Sequence, residues 1–87
     1  MAYEISLLPA ARRQFARVDP AARRRIGALI DSLATQPRPA GVKALKGMPD
    51  LLRVRAGDYR VVYRVEDRRL FILVVAVGHR REVYRSI

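Results

Sequence analysis

Leu52-Arg53-Val54-Arg55-Ala56-Gly57-Asp58-Tyr59-Arg60-Val61-Val62-Tyr63-Arg64-Val65 reads as two β-strands folded back on a tight turn. Successive side chains of a strand point to opposite faces, so a turn at Gly57-Asp58 sets Ala56 opposite Tyr59, Arg55 opposite Arg60 and Arg53 opposite Val62. Arg53, Arg55, Arg60 and Arg64 then share one face, while Leu52, Val54, Val61, Tyr63 and Val65 share the reverse, which is the core. The arginine face is not expected to be a core. Placing Arg55 across from Arg60 costs a few tenths of a kcal/mol up to ~1. Such a conflict is expected where function overrides stability, and the usual compensation is a polyanion held on the face. The competing reading is an ordinary solvated face whose long arginines cover apolar neighbours.

Working outward, Leu70 to Val77 is apolar without alternation, which predicts a central strand buried on both faces and joined to the previous one by a turn at Asp67-Arg68. Upstream, residues 3 to 8 alternate Tyr3, Ile5 and Leu7 against Glu4 and Ser6, predicting a short strand in the same sheet. Pro9 suits a first helical turn, and Leu8, Ala11, Phe15 and Val18 recur at helical spacing. Asp19-Pro20 starts a second helix, with Asp as N-cap, whose stripe Ala22, Ile26, Leu29, Ile30, Leu33 runs to about residue 35, where Gln36-Pro37-Arg38-Pro39 stops it. Arg23-Arg24-Arg25 on that helix reads as its solvated face. Residues 37 to 50 read as a connecting loop carrying Lys43 and Lys46, with Val42, Leu45 and Met48 tucked against the globule. The expected fold class is α+β: an N-terminal strand and two-helix hairpin packed on a small antiparallel sheet, in the order βααβββ.

With 87 residues, 51% of them hydrophobic and set in periodic segments, residues 1–87 are expected to form a single folded domain with one core. Eighteen Lys+Arg against eight Asp+Glu give a formal charge of +10, which nucleic acid, an acidic protein segment or an anionic membrane could each answer. Only Lys43 and Lys46 are lysines, and arginine is the better residue for bidentate phosphate contacts. The absence of cysteine excludes disulfides, thiolate catalysis and cysteine-based zinc sites. His79 is the only histidine and no carboxylate cluster accompanies it, so neither metal nor cofactor is expected. Met1-Ala2-Tyr3-Glu4-Ile5 lacks the regions of a signal peptide, and no apolar run approaches the ~20 residues of a membrane span. The cytoplasm is the expected location.

Three stretches, Lys43-Ala44-Leu45-Lys46-Gly47-Met48-Pro49-Asp50, Gly57-Asp58-Tyr59-Arg60-Val61-Val62-Tyr63 and Val77-Gly78-His79-Arg80-Arg81-Glu82-Val83-Tyr84, together resemble the RelE family of toxins from bacterial and archaeal toxin–antitoxin pairs. The resemblance spans nearly the whole chain and is more specific for the RelE/ParE superfamily than for one activity within it. It implies a small α+β domain that enters the ribosomal A site and cuts mRNA there, the RNA's own 2′-hydroxyl attacking to leave a 2′,3′-cyclic phosphate and a 5′-hydroxyl. The family's two strand lysines fall on Arg53 and Arg55, its strand arginine on Arg60, its second arginine on Arg80 and its C-terminal tyrosine on Tyr84. Lys43, Lys46, Arg64 and Arg81 are expected to contact mRNA or ribosomal RNA. The implied partners are the ribosome, mRNA and a cognate RelB-like antitoxin, in a heterotetramer or larger, with no membrane.

The chemistry stands on its own footing as well. In-line attack on a phosphodiester builds charge on the phosphoryl oxygens, and fixed guanidinium groups stabilise that charge without a metal. Arg55, Arg60 and Arg80 suit this role, with Tyr84 stacking on a base and orienting the reacting groups. The sequence departs from the family where Arg53 and Arg55 replace lysines, because arginine is not deprotonated in proteins and cannot be a general base. His79, whose ordinary pKa lies near neutrality, is the candidate base, although strand alternation can point it away from Arg80. The chain also ends three residues after Tyr84, so the C-terminal helix frequent in the family is not expected. Two other readings compete: a ParE-type toxin acting on DNA gyrase without nuclease activity, and a non-catalytic basic RNA-binding module.

Overall fold

The computed structural model describes residues 2–87, leaving aside the side chain of Ser86. The elements are β1 (Glu4–Leu7), α1 (Pro9–Arg17), α2 (Pro20–Ser32), β2 (Lys43–Leu45), β3 (Met48–Ala56), β4 (Tyr59–Glu66), a 3-10 turn at Asp67–Arg69, β5 (Phe71–His79) and a C-terminal 3-10 turn at Glu82–Ser86. The five strands form one sheet in the order β1-β5-β4-β3-β2, with the helical hairpin on one face. The expected α+β class holds, with one strand more than the expected βααβββ order, and the last residues form a 3-10 turn, not an α-helix.

The hairpin register agrees residue for residue with the sequence reading: Ala56 pairs with Tyr59, Arg55 with Arg60 and Arg53 with Val62. Gly57, at φ +63°, makes that turn possible, since a side chain is rarely tolerated in the left-handed region. Asp19 caps α2 as expected, its carboxylate accepting the Ala22 N–H at 3.3 Å.

Three features depart from expectation, each for a physical reason. First, β1 pairs with β5 in parallel, Glu4 beside Phe71 through Leu7 beside Val74, so the sheet is mixed. The helical hairpin between β1 and the rest of the sheet supplies the crossover that a parallel neighbour needs. Second, residues 43–50 are not all loop. Lys43 pairs with Arg53 and Ala44 with Leu52, and β3 begins four residues earlier than expected, at Met48. Gly47, at φ +80°, closes the β2–β3 turn, and the irregular pairing between Ala44 and Leu45 leaves Pro49 where no ladder N–H is required. Met48 is 44% exposed instead of tucked in.

Third, β5 resolves its unbroken apolar run with a bulge. Val62 pairs with Ala76 but Tyr63 pairs with Val74, so Val75 is the extra residue and the strand changes parity there. Ile72, Val74 and Val77 therefore face the helices with Ile26, Ile30, Leu33, Val54, Val61 and Tyr63, while Ala76 joins Val62 and Val83 in a small second cluster on the arginine side. The arginine face is thus not bare of core. Val83 is 1% exposed, a burial worth roughly 1.5–3 kcal/mol that fastens the C-terminal turn to the sheet. β5 is interior, between β1 and β4, whereas β4 is the middle strand.

At the far end of the sheet, Asp67 takes a bidentate contact from Arg38 at 2.9 and 3.1 Å and a 2.7 Å hydrogen bond from the Tyr3 hydroxyl, tying the chain start and the 37–41 segment to the β4–β5 connection. The Arg38 guanidinium, helped by that hydroxyl, lowers the Asp67 pKa from 3.8 to about 2. Nearby, the buried Tyr63 hydroxyl donates to the Pro37 carbonyl at 2.6 Å, and burial pushes its pKa up to about 12.

Candidate nucleic-acid interface

Two transverse rows of the sheet build the site. One row runs Lys43, Arg53, Val62, Ala76 across β2, β3, β4 and β5; the next runs Arg55, Arg60, Gly78. Paired residues in such rows have Cβ atoms about 4.5–5.5 Å apart, so Lys43 and Arg53, like Arg55 and Arg60, are cation neighbours by construction. Among the described residues only Arg38, Arg64 and Arg69 make ion pairs. The charge in these two rows is left unneutralised.

The C-terminal turn delivers the tyrosine. Val83 packs on Val62 and Ala76, and Gly78 admits it: a Cβ at residue 78 would come within 3.3 Å of the Val83 Cα. Tyr84 is thereby placed over the first row, where its hydroxyl accepts a 2.8 Å hydrogen bond from Arg53 Nη1. Lys46, Arg53 and Tyr84 line a cavity of about 390 Å³ whose other walls are Ala44, Leu45, Met48 and Ile87. A charged, hydrogen-bonded rim over apolar walls suits a nucleotide, which presents a phosphate on one side and an aromatic ring on the other.

Arg60 is the most telling member. Its Nη1 is buried and is the one buried side-chain nitrogen or oxygen among the described residues that has no hydrogen-bond partner. An unmet buried donor costs roughly 1–3 kcal/mol, more when charged, while the rest of the Arg60 side chain stays partly exposed on the face. Arg80 follows the end of β5, and its backbone N–H donates to the Asp58 carbonyl at 2.9 Å. That bond fixes the start of Arg80 at the turn from which Arg55 and Arg60 emerge; Arg55 and Arg80 are both exposed.

The structure thus brings Lys43, Lys46, Arg53, Arg60 and Tyr84 onto one surface, with Arg55 and Arg80 at its end. Arg81 is exposed at the entry to the C-terminal turn. Arg64 lies apart: it is exposed, pairs with Glu66 at 3.3 Å and lines a separate cavity with Arg38 and Asp50. His79 is on the wrong side for the expected base. It pairs with Tyr59 in register, meets that ring edge-to-face at 5.4 Å, and lines a cavity with Gln14 and Arg17 of α1, across the sheet from Tyr84. The bulge and the alternation of β5 cause this. The apolar cavity walls were not read as part of the site: Leu45 and Met48 were expected only to pack against the globule, and Ile87 carried no signal in the sequence.

A domain of this kind, a basic sheet face backed by a helical hairpin, is found repeatedly among known proteins. The profile of the ParE toxin family of type II toxin–antitoxin systems matches residues 5–84. The mRNA interferase toxin RelE of Escherichia coli is 31% identical over 97% of this chain and 92% of its own length. Toxin RelG of Mycobacterium tuberculosis is 26% identical over 98% of this chain and 99% of its own. The archaeal RelE–RelB complex of Pyrococcus horikoshii superimposes with a TM-score of 0.80 at 29% identity, covering 93% of this chain and 98% of that one. A mutant of E. coli RelE in the free state gives 0.79 at 28% identity, covering 99% and 94%. The chain belongs to the RelE/ParE superfamily, as a RelE-family toxin of a type II toxin–antitoxin system.

Proposed function

We propose that this toxin is a ribosome-dependent endoribonuclease that cuts mRNA in the A site. The observation that carries the reading is the buried, unpartnered Arg60 Nη1 on the face that also holds the Arg53–Tyr84 hydrogen bond. A scissile phosphate seated there lies against the Arg60 guanidinium and compensates its charge. The 2′-hydroxyl of the preceding nucleotide attacks phosphorus in line, the 5′-oxygen leaves, and the products carry a 2′,3′-cyclic phosphate and a 5′-hydroxyl. Arg60, with Arg55 and Arg80, stabilises the charge that grows on the phosphoryl oxygens, which lets the reaction proceed without a metal. Arg53 fixes the Tyr84 ring, which stacks on a base beside the scissile bond and holds the nucleotide in line. Lys43, Lys46 and Arg81 hold flanking phosphates. His79 has no part in the proton transfer, being across the sheet.

The E. coli relative is named an mRNA interferase and the archaeal one is solved bound to RelB, which supports the same activity and a RelB-like antitoxin for this chain. The unpaired arginines give an acidic antitoxin segment its counter-charge. One observation favours a second reading: the matching family profile is that of ParE, whose superfamily includes gyrase poisons. Primer extension on a defined mRNA, with and without translating ribosomes, separates the two. Cleavage only with ribosomes, abolished in Arg80→Ala, supports the nuclease; intact mRNA together with stalled gyrase–DNA complexes supports the second reading.

A further inference from the structure

The end of β5 is held from both sides of the sheet, and the His79 ring there has no task in the chemistry above. β1 accompanies β5 only as far as Val74, so the last residues of β5 have a strand neighbour on one edge alone. Three contacts hold the strand end, and one of them, from Gln14, is on the edge that β1 leaves open. Gln14 of α1 accepts the Val77 N–H at 2.9 Å, Val83 lies against Gly78 on the arginine side, and the Arg80 N–H reaches the Asp58 carbonyl at 2.9 Å. The fourth contact is His79 itself. Its ring stands perpendicular to that of Tyr59, centroids 5.4 Å apart, on the helix side of the last ladder pair. Alternation turns the next residue, Arg80, the other way.

We propose that His79 is a positioning residue for Arg80, acting through its ring contact with Tyr59 and not through proton transfer. Tyr59 is itself anchored in the main core, so an edge-to-face partner on the opposite strand stops the β5 end from fraying. A frayed end breaks the Arg80–Asp58 bond and lets the guanidinium leave the phosphate. The catalytic consequence rests on the nuclease reading; the structural one does not.

The test is amide hydrogen exchange at Arg80 beside single-turnover cleavage on programmed ribosomes, for wild type, His79→Ala and His79→Phe. Loss of the ring contact is expected to speed Arg80 amide exchange roughly threefold to tenfold in His79→Ala, with Ile72 and Val74 unchanged as internal controls. His79→Phe, which keeps a ring, restores wild-type exchange. Cleavage follows the same order: kcat falls by a similar factor in His79→Ala at unchanged KM, returns in His79→Phe, and keeps its pH profile in all three. Unchanged Arg80 exchange in His79→Ala overturns the proposal whether or not the protein cuts RNA. A His79→Phe variant that cleaves as poorly as His79→Ala and loses a pH limb near neutrality also overturns it, in favour of a proton-transfer role. Wild type that never cleaves refutes the nuclease reading, while the exchange data still decide the role of the ring.

Discussion

Replacing Arg60 with methionine is expected to stabilise the protein while abolishing its activity. Arg60 carries a buried Nη1 without an acceptor and lies directly across from Arg55. The unmet donor costs roughly 1–3 kcal/mol and the facing cation up to ~1 kcal/mol. Methionine keeps most of the length and apolar stem of arginine and adapts to irregular space, so Arg60→Met should gain about 1–3 kcal/mol net. For a domain of this size, each kcal/mol corresponds to about 4–8 °C in Tm. Urea unfolding is the suitable assay: the midpoint should rise by roughly 0.3–3 M with m unchanged, which marks a change of stability and not of compactness. High salt should remove only the repulsive part of the gain. Arg55→Met, at an exposed position, isolates that part and should gain no more than ~1 kcal/mol. A short RNA oligonucleotide should raise the midpoint of wild type and leave Arg60→Met unmoved, because ligand stabilises only a state that binds it. An Arg60→Met protein that unfolds at or below the wild-type midpoint refutes the claim that this guanidinium is held at a cost.

Gly78→Ala puts a Cβ 3.3 Å from the Val83 Cα, which is backbone and cannot swing aside, so it should cost about 1–3 kcal/mol in thermal unfolding and displace Tyr84 from Arg53. Tyr84→Phe removes the acceptor for Arg53 but keeps the ring; cleavage assays should show a partial loss of kcat, and Tyr84→Ala a far larger one. At high pH, Tyr63 keeps its proton in the folded state up to about 12 whereas the unfolded chain releases it near 10, so stability should fall as pH rises from 10 towards 12 and Tyr63→Phe should flatten that limb in pH-dependent denaturation. At the acid end, Asp67 stays ionised in the folded state down to about 2, so its contribution is complete above the unfolded value and is lost as pH falls through 2; Asp67→Asn should remove this part of the acid transition.

The sheet was legible in the sequence where two signals coincided. The Gly57-Asp58 turn and the alternation of Arg53 to Val65 both fix the same register, so each pair across that hairpin is as read. The parallel pairing of β1 was not legible, because alternation in Tyr3-Glu4-Ile5-Ser6-Leu7 says which residues are inward and nothing about the neighbour's direction. Lys43–Leu45 hid as a strand because Pro37, Pro39, Gly41 and Gly47 around it are loop residues by composition, and a three-residue edge strand carries too little pattern to outweigh them. His79 shows the same limit at the site. Its ordinary pKa argued for catalysis, but the side of the sheet it faces depends on the Val75 bulge, and a run of eight apolar residues gives no sign of where a strand changes parity. Arg53 and Arg60, by contrast, share a face because the hairpin was legible, whereas the Gly78–Val83 approach that brings Tyr84 to Arg53 is visible only in the structure.

The central claim is that the arginine face holds a phosphodiester for attack by its own 2′-hydroxyl. The most direct measurement is single-turnover cleavage of mRNA on ribosomes with a filled P site, comparing an all-ribose A-site codon with codons carrying one 2′-deoxy nucleotide at each position in turn. A single substitution, immediately 5′ to the mapped cut, should abolish cleavage while the other two leave it intact, and the all-ribose product should end in a 2′,3′-cyclic phosphate. Undiminished cutting of every deoxy-substituted codon, or a product ending in a 3′-hydroxyl, would contradict the account.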